Sequence, residues 1–217
     1  MAVLPLFPLG TALLPGALVP LQIFEERYVA LLRDLLGAQE HRPPVFGVVA
    51  IRKGYEVGEA GARALHSVGC SAQVQQAAAI GDERFLIVIE GRSRFRLDGL
   101  LPQASTPYAQ AQVTWLSELV GDDREIETLG NRLRTEVAAY RSQLGDDALT
   151  APDDLRELSY WLPQAIDLEL SDRQLLLASE STETRLRLGR AIVRRERTLN
   201  ASLGTTGTSV TGPMSPN

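Results

Sequence analysis

Residues 4–28 read LPLFPLGTALLPGALVPLQIFEERY, and this stretch decides how the first half of the chain folds. Four prolines and two glycines interrupt an apolar run before the pattern becomes amphipathic. Proline lacks a backbone donor and therefore occupies strand starts, sheet edges and turns, and Pro15-Gly16 is a turn dipeptide. We therefore predict a strand, a loop, a second strand and then a helix over about 25–36, where apolar residues recur at helical spacing.

The composition of the 217-residue chain is that of an ordinary globular protein, with 44% hydrophobic and 23% charged residues. Its net charge of −5 argues against a general nucleic-acid binder, which carries a basic excess. The single cysteine, Cys70, excludes an internal disulfide and fits a reducing compartment. No basic residue precedes Arg27, so the apolar start lacks the positive region of an export signal, and no run is long enough to span a membrane. We expect a cytoplasmic protein without a membrane segment.

Four further segments have the patterns of β-strands. Residues 45–51 form a β-branched run, 68–75 alternate between apolar and small or polar residues, and 84–97 and 110–115 follow with similar patterns. Gly91 is expected to mark a bulge or bend within the third of these segments. About six strands with turn signals between them close most readily into a small barrel or a curled sheet.

After residue 118 the pattern becomes helical. Residues 122–144 have a steady three-and-four spacing of apolar residues, and capping boxes at Thr150–Asp153 and Ser171–Gln174 predict two further helix starts. A fourth helix is predicted over 182–199. The fold class is therefore α+β, with a β-rich subdomain over 1–117, a helical bundle over 118–199 and a disordered tail over 200–217.

Several short motifs match one protein family. They are LPLFPL at 4–9, LPG at 14–16, VPLQIFE at 19–25, RYVAL at 27–31, VGCSA at 68–72, GRSRF at 91–95 and the leucine-rich segment 162–175. Together with the order of the predicted elements, these motifs resemble the N-terminal, substrate-binding domain of the bacterial ATP-dependent Lon protease. The resemblance implies a six-stranded barrel related to PUA-like RNA-binding barrels, one packed helix and a following helical bundle. It also implies that the domain binds protein substrates.

In full-length Lon this region is joined to an ATPase module and to a serine–lysine protease. Lys53 is the only lysine, and its neighbours Arg52 and Gly54 do not form the G-x-x-x-x-G-K-[ST] motif that cradles phosphates. A serine–lysine dyad would also have to use Lys53, in a segment that matches nothing in the protease. We therefore expect a stand-alone, non-catalytic module without a cofactor, and a peptidase label would describe its relatives.

The first candidate site is a protein-binding surface for unfolded or extended protein segments. We assign it to Leu13, Leu14, Pro15, Phe24, Arg27 and Tyr28. The apolar loop at 13–15 forms either an exposed lip or part of the buried core, and Arg27 with Tyr28 forms either a cleft wall or a structural pair. Binding would occur by strand addition at a barrel edge or by insertion of apolar side chains between barrel and bundle. A protease or chaperone is a further possible partner, and the oligomeric state stays open.

The alternative function is RNA binding through a row of three arginines. Arg92, Arg94 and Arg96 alternate along one predicted strand and would present guanidinium groups to phosphates. A charged outer face is, however, usual for a half-buried strand. The many arginines of the last predicted helix are likewise either a docking surface or a solvated face. The soft metal ligands His41, His66 and Cys70 lack the spacing of a zinc site, and we expect no metal.

Overall fold

A computed structural model describes residues 2–37, 44–54, 62–81, 84–102, 106–145 and 149–206. In chain order, its elements are β1 (Ala2–Leu9), β2 (Leu18–Ile23), α1 (Glu26–Gly37), β3 (Val45–Gly54), β4 (Ala62–Leu65), β5 (Val68–Ala79), β6 (Phe85–Leu100), β7 (Gln110–Trp115), α2 (Asp123–Gln143), α3 (Leu155–Ala165), α4 (Leu170–Ala178) and α5 (Thr182–Thr206). The predicted α+β class is confirmed.

The strands form one sheet whose pairings return to the first strand. Neighbours run in the order β1-β7-β6-β5-β3-β4, and β1 also pairs in parallel with β3, so that five strands form a closed circuit. β2 lies beside the first half of β6. The sequence predicted about six strands, and the described residues contain seven, because Ala62–Leu65 forms a short strand against β3. Four residues are too few for the alternation that marked the others.

Strand β1 contributes to two hydrophobic clusters in the sheet. Phe7 packs in the larger cluster, where its ring lies 4.2 Å from that of Tyr28 and 5.9 Å from that of Phe46. Leu6 packs in the smaller cluster with Phe95. Helix α1 covers the larger cluster with Tyr28, Val29, Leu31 and Leu32. The helical spacing of the apolar residues predicted this helix and its buried face, but not the burial of Val29.

The chain forms two compact units. The first comprises Met1–Leu119 and Asp167–Ser181, and the second comprises Val120–Ile166 and Thr182–Asn217. The sequence-based division had instead placed residues 167–181 in the helical bundle. Helix α4 packs on β5, where Gln174 Nε2 donates to the Val68 carbonyl at 3.0 Å and Leu177 enters the larger cluster. A helical pattern shows which face is apolar but not which element covers it. In the second unit, α2, α3 and α5 pack together.

Helix α2 begins and ends where the sequence predicted. Asp122 accepts the Glu125 N–H at 3.0 Å as its N-cap, and Leu144 is the C-cap. The other two predicted starts are wrong by a few residues. Asp154, not Thr150, caps α3 and accepts the Glu157 N–H at 2.8 Å, and Ser171 lies inside the first turn of α4.

The predicted disordered tail starts too early. Residues 200–206 continue helix α5, because nothing in Asn-Ala-Ser-Leu at 200–203 forbids the helical backbone that the preceding turns have already nucleated. The remainder of the predicted tail, 207–217, lies outside the described residues.

Candidate functional site

An apolar groove lies on the outer face of a three-stranded ribbon in the first unit. The ribbon consists of β2, the first half of β6 and the second half of β5. The groove has a volume of about 450 Å³, and its lining residues are Pro20, Leu21, Gln22, Gln76, Ala77, Ala78, Leu86, Ile87 and Val88. This volume is within the range of small-ligand and side-chain pockets.

The pleat of the strands explains why the groove is apolar. Ile87 and Ile89 point into the core, so Leu86 and Val88, which alternate with them, point outward. In register, Pro20 lies opposite Val88, and Gln22 lies opposite Leu86. Both faces of this part of β6 are apolar, and on the outer face Leu86 remains 47% exposed. An exposed apolar surface of this kind is typical of an interaction site.

A polar group borders the groove at one end. Glu90 accepts a hydrogen bond from Gln75 Nε2 at 2.6 Å and another from Arg92 Nη1 at 2.9 Å. Leu18, opposite Glu90 in register, is 64% exposed but lies outside the groove lining. The surface therefore combines an apolar floor with one hydrogen-bonded carboxylate, an arrangement common at protein interfaces.

The predicted apolar lip at 13–15 is not exposed. Leu13 and Leu14 are each 2% exposed, and Pro15 is also buried. The loop lies directly on β6, where Gly16 N donates to the Gly91 carbonyl at 2.8 Å. A side chain at Gly91 would overlap the Leu14 carbonyl, since an ideal Cβ would lie 2.1 Å from that oxygen. Of the two readings of this loop, the buried one is therefore what the structure shows.

The other predicted protein-binding residues lie in different environments. Tyr28 is buried in the core, and Arg27 stacks over its ring at 4.7 Å while donating to Glu25 at 2.7 Å. These two residues form the structural pair that was the alternative to a cleft wall. Phe24 is half-exposed at the end of β2 and is the only member of the predicted set with a freely accessible apolar side chain in the described structure.

The three arginines proposed for RNA binding do not form one exposed row. Arg92 and Arg96 are exposed and paired with Glu90 and Asp98, whereas Arg94 is buried. Arg94 and Arg96 lie on the same face of β6, but the carbonyls at the end of α4 cover Arg94. Arg92 is out of phase with both because β6 contains an extra residue: Cys70 lies opposite Arg94, but Ala72 lies opposite Gly91. This bulge follows Gly91, as predicted, and it changes the face to which the later residues point.

Arg94 is instead the centre of a buried polar network. Its guanidinium donates to Glu118 through Nε at 2.7 Å and to the carbonyls of Ser117, Leu177, Ser179 and Glu180. The Leu177 carbonyl belongs to the last turn of α4, where carbonyls lack intrahelical partners and favour a cation, and the carbonyls of Ser179 and Glu180 follow directly after the helix. Arg94 thus joins β6 to the two segments by which the chain leaves the first unit.

Two of the three candidate metal ligands, His66 and Cys70, lie in the described part of the chain and form no metal site there. Burial raises the pKa of the Cys70 thiol to about 12, so the thiolate that a metal would need is disfavoured. His66 lies just before β5, where burial and the charge of Arg52 lower its pKa. Within the described residues no three metal-binding side chains come together, and His41 lies outside them.

The arginines of α5 mostly contact carboxylates within the second unit. Arg190 and Arg194 both donate to Glu136 on α2, and Arg187 donates to Glu183. Arg185 is buried, lies 4.0 Å from the Tyr160 ring and donates to Ser159. Much of the positive charge of this helix is therefore balanced by acidic side chains of the same unit.

Among the described helices, none combines the length and the apolar character that a membrane crossing requires. The described fold thus defines an α+β domain with a closed sheet in one unit, an exposed apolar groove on that sheet and helices in the other unit.

Comparison with known families places the chain within one of them. The family model for the ATP-dependent protease La (LON) substrate-binding domain matches residues 3–195. The chain therefore belongs to the Lon substrate-binding domain family, and the resemblance seen in its sequence motifs is confirmed.

Individual relatives agree with this assignment. An alignment that covers 99% of this chain gives 26% identity to the Lon protease of Anaeromyxobacter dehalogenans. Another, which covers 88% of this chain, gives 30% identity to Lon protease 2 of Sorangium cellulosum. The chain spans only 26% and 24% of those relatives.

Two solved structures have the same fold. One is the Lon N-terminal domain protein of Xanthomonas campestris, with a TM-score of 0.62 and 24% identity over 88% of this chain and 98% of that one. The other is the N-terminal domain of the Mycobacterium avium complex Lon protease, with a TM-score of 0.66 and 18% identity over 89% of this chain and 98% of that one.

Sequence reasoning missed the groove. The sequence did contain a signal for it, because residues 85–89, FLIVI, are apolar at every position. Both faces of such a strand are apolar, so the face that does not pack on the core must be covered by something else or be exposed. The alternation used to find strands assumes that only one face is apolar, and it says nothing about which strands lie beside each other.

Proposed function

We propose that this protein is a non-catalytic module that binds unfolded or extended segments of other proteins through the apolar groove of its first unit. The single observation that carries the proposal is the apolar floor formed by Pro20, Leu86 and Val88, in which Leu86 is 47% exposed. Membership of a substrate-binding domain family supports a protein as the ligand.

The groove suits apolar side chains that folded proteins hide. Its floor consists of aliphatic side chains and small residues, and the carboxylate near its rim is already hydrogen-bonded. Burying Leu86 under a bound side chain would contribute about 1 to 2 kcal/mol. Several such contacts along an unfolded chain would give selectivity for unfolded over folded proteins.

The test is the binding of a fluorescein-labelled, reduced and carboxymethylated model protein, followed by fluorescence anisotropy. The expected result is saturable binding by the wild type, weakened about tenfold by Leu86→Ser, in line with the loss of one buried leucine. Leu100→Ser is the matched control, because Leu100 lies on the same strand, is 58% exposed and does not line the groove. Absence of saturable binding by the wild type would contradict the proposal, as would equal weakening by the two variants.

A further inference from the structure

In the part of the chain that the structure describes, the outer edges of β2 and of the second half of β5 pair with no further strand, and the two edges differ in their ability to accept one. In an antiparallel pair, residues that exchange hydrogen bonds alternate with residues whose N–H and C=O groups point away from the partner. The hydrogen bonds that the structure shows at the ends of the ribbon therefore establish which backbone groups of β2 and β5 face outward.

On β2, proline occupies an outward position. Gly91 N donates to the Ala17 carbonyl at 3.0 Å, so by alternation Val19 exchanges hydrogen bonds with Ile89, whereas Pro20 does not do so with Val88. The nitrogen of Pro20 consequently faces the open edge, where it has no hydrogen to donate. Proline at this position is a common protection of an edge strand.

On β5, no other described strand pairs with the outward positions of residues 75–79. Ile80 N donates to the Arg84 carbonyl at 2.8 Å, so Ala78 and Gln76 exchange hydrogen bonds with β6. The backbone groups of Ala77 and Ala79 therefore face away from β6. Both residues are exposed, and among the described residues β3 pairs with β5 only as far as Gln73, followed by one hydrogen bond from Val74 N to the Pro44 carbonyl.

The chemistry of this edge specifies its occupant. Residues 75–80 read QQAAAI and contain neither a charged residue nor a proline, the features that normally block strand addition. A strand added there would be about 20 Å long at about 3.4 Å per residue. Its alternate side chains would lie over Ala78, whose single methyl group leaves room beside Leu86 in the groove.

Charge favours another polypeptide over a second copy. The chain has a net charge of −5, so two copies repel each other, whereas a neutral or basic segment is not repelled. We propose that an extended, alternately apolar, neutral or basic segment of an unfolded protein adds as a strand to the β5 edge at Ala77 and Ala79. This proposal rests on the proposed function and specifies how the groove is occupied.

The experiment uses a fluorescein-labelled peptide of alternating valine and threonine flanked by lysines, together with the same peptide N-methylated at every second residue. N-methylation removes the donors of one edge and leaves the side chains unchanged. Loss of about two backbone hydrogen bonds should weaken binding about tenfold or more. Because the protein is unchanged in this comparison, the result does not depend on the folding of a variant.

A pair of proline variants then locates the edge. Ala77→Pro removes an outward donor of β5 and should weaken binding of the unmethylated peptide about tenfold. Leu18→Pro is the matched control, since alternation also places the Leu18 N–H outward, on the β2 edge, and Leu18 does not line the groove. Circular dichroism and thermal unfolding verify that both variants fold.

The outcomes separate the two proposals. If the wild type binds unfolded protein and Leu86→Ser weakens it, but N-methylation and Ala77→Pro have no effect, strand addition is overturned and the proposed function stands. If the wild type binds no unfolded protein, the proposed function itself fails. If sedimentation velocity shows a dimer that Ala77→Pro dissociates while peptide affinity is unchanged, the occupant is a second copy and the proposal is overturned.

Discussion

Arg94 and Glu118 form an ion pair in which Nε lies 2.7 Å from Oε1, with the arginine side chain 1% exposed. The same guanidinium donates to the carbonyl of Ser117, next to Glu118, and to carbonyls at the end of α4. A single side chain of β6 thereby fixes two chain segments that are more than 50 residues apart in sequence. Its position, and not its charge alone, distinguishes it from the other arginines of the strand.

Replacement of Arg94 should therefore destabilise the fold strongly. Arg94→Met removes the buried guanidinium that donates to several carbonyls and to the Glu118 carboxylate, at an expected cost of about 3 to 5 kcal/mol in the free energy of unfolding. Arg96→Met is the control, because Arg96 is exposed and its pair with Asp98 contributes about 0 to 1 kcal/mol. Urea denaturation of the two variants measures the difference, and similar midpoints would contradict the role assigned to Arg94.

Two glycines of β6 provide a second matched pair. A Cβ at Gly91 would lie 2.1 Å from the Leu14 carbonyl oxygen, whereas a Cβ at Gly99 would meet nothing within 4 Å. Gly91→Ala should destabilise the protein by about 1 to 3 kcal/mol, because the buried 13–15 loop must shift. Gly99→Ala should be neutral or stabilising by up to about 1 kcal/mol. Thermal unfolding of both variants tests the packing of this loop, and equal effects would mean that the loop does not lie on Gly91.

Cys70 should make the free energy of unfolding depend on pH in the alkaline range. Burial raises the pKa of its thiol from 9.0 to about 12, so above pH 9 the unfolded state releases a proton that the folded state retains. The contribution of the thiol is complete below pH 9 and is lost as the pH rises toward 12, at up to about 1.4 kcal/mol per pH unit.

Cys70→Ala removes this component, so the stability difference between variant and wild type should change steeply above pH 9. The pKa of Tyr108 is also raised to about 12, by burial and by its hydrogen bond to Asp34, but this group is present in both proteins and cancels. Urea unfolding from pH 8 to pH 11 provides the measurement. A constant difference over that interval would show that the thiol is not shielded.

Glu136 should contribute to stability only above acidic pH. Burial acts to raise its pKa, but hydrogen bonds from Arg190 and Arg194 prevail and hold the pKa below the usual 4.5. Its contribution is therefore present above pH 4.5 and is lost as the pH falls through the lowered value. Glu136→Gln should cost about 2 kcal/mol at pH 7, the scale of charged hydrogen bonds, and less at pH 3.

Glu127→Gln is the control for this prediction. Glu127 lies on the same helix and is exposed, so its removal should change stability by less than about 0.5 kcal/mol at either pH. Chemical denaturation at pH 7 and pH 3 measures both variants. If Glu136→Gln costs the same at the two pH values, the ion pair is not the source of its effect.

Much of the fold follows from local patterns in the sequence. The spacing of Tyr28, Leu31 and Leu32 predicts α1 and the face that it buries, and the Asp122 cap marks the start of α2. The bulge after Gly91 was also predictable, because glycine in a strand often marks an irregularity or a close approach of another segment. In each case the cause acts within a few residues of the chain.

The burial and surroundings of the candidate site residues could not be predicted from the sequence, because they depend on neighbours that are distant in sequence. The sequence around Leu13 and Leu14 is compatible both with an exposed loop and with a loop packed on Gly91. The sequence around Arg94 is like that around an exposed strand arginine. Only the bulge in β6 and the contacts with the end of α4 bring its guanidinium into a buried polar network. The groove arises because β2 and β5 both pair with β6, a relationship that no single segment encodes visibly.

The sequence by itself determined the family, the α+β class, most helices and strands and the lack of a P-loop motif around Lys53, since these depend on short motifs and on periodicity. Tertiary structure alone decided which apolar residues are buried, which arginine joins the two exit segments of the first unit, and which strands lie side by side in the ribbon. The physical reason is that burial and strand pairing are properties of contacts between remote segments. The proline-rich opening thus identifies the family. Its apolar loop at 13–15 is buried in the core, and the exposed apolar surface lies instead on β2, β5 and β6.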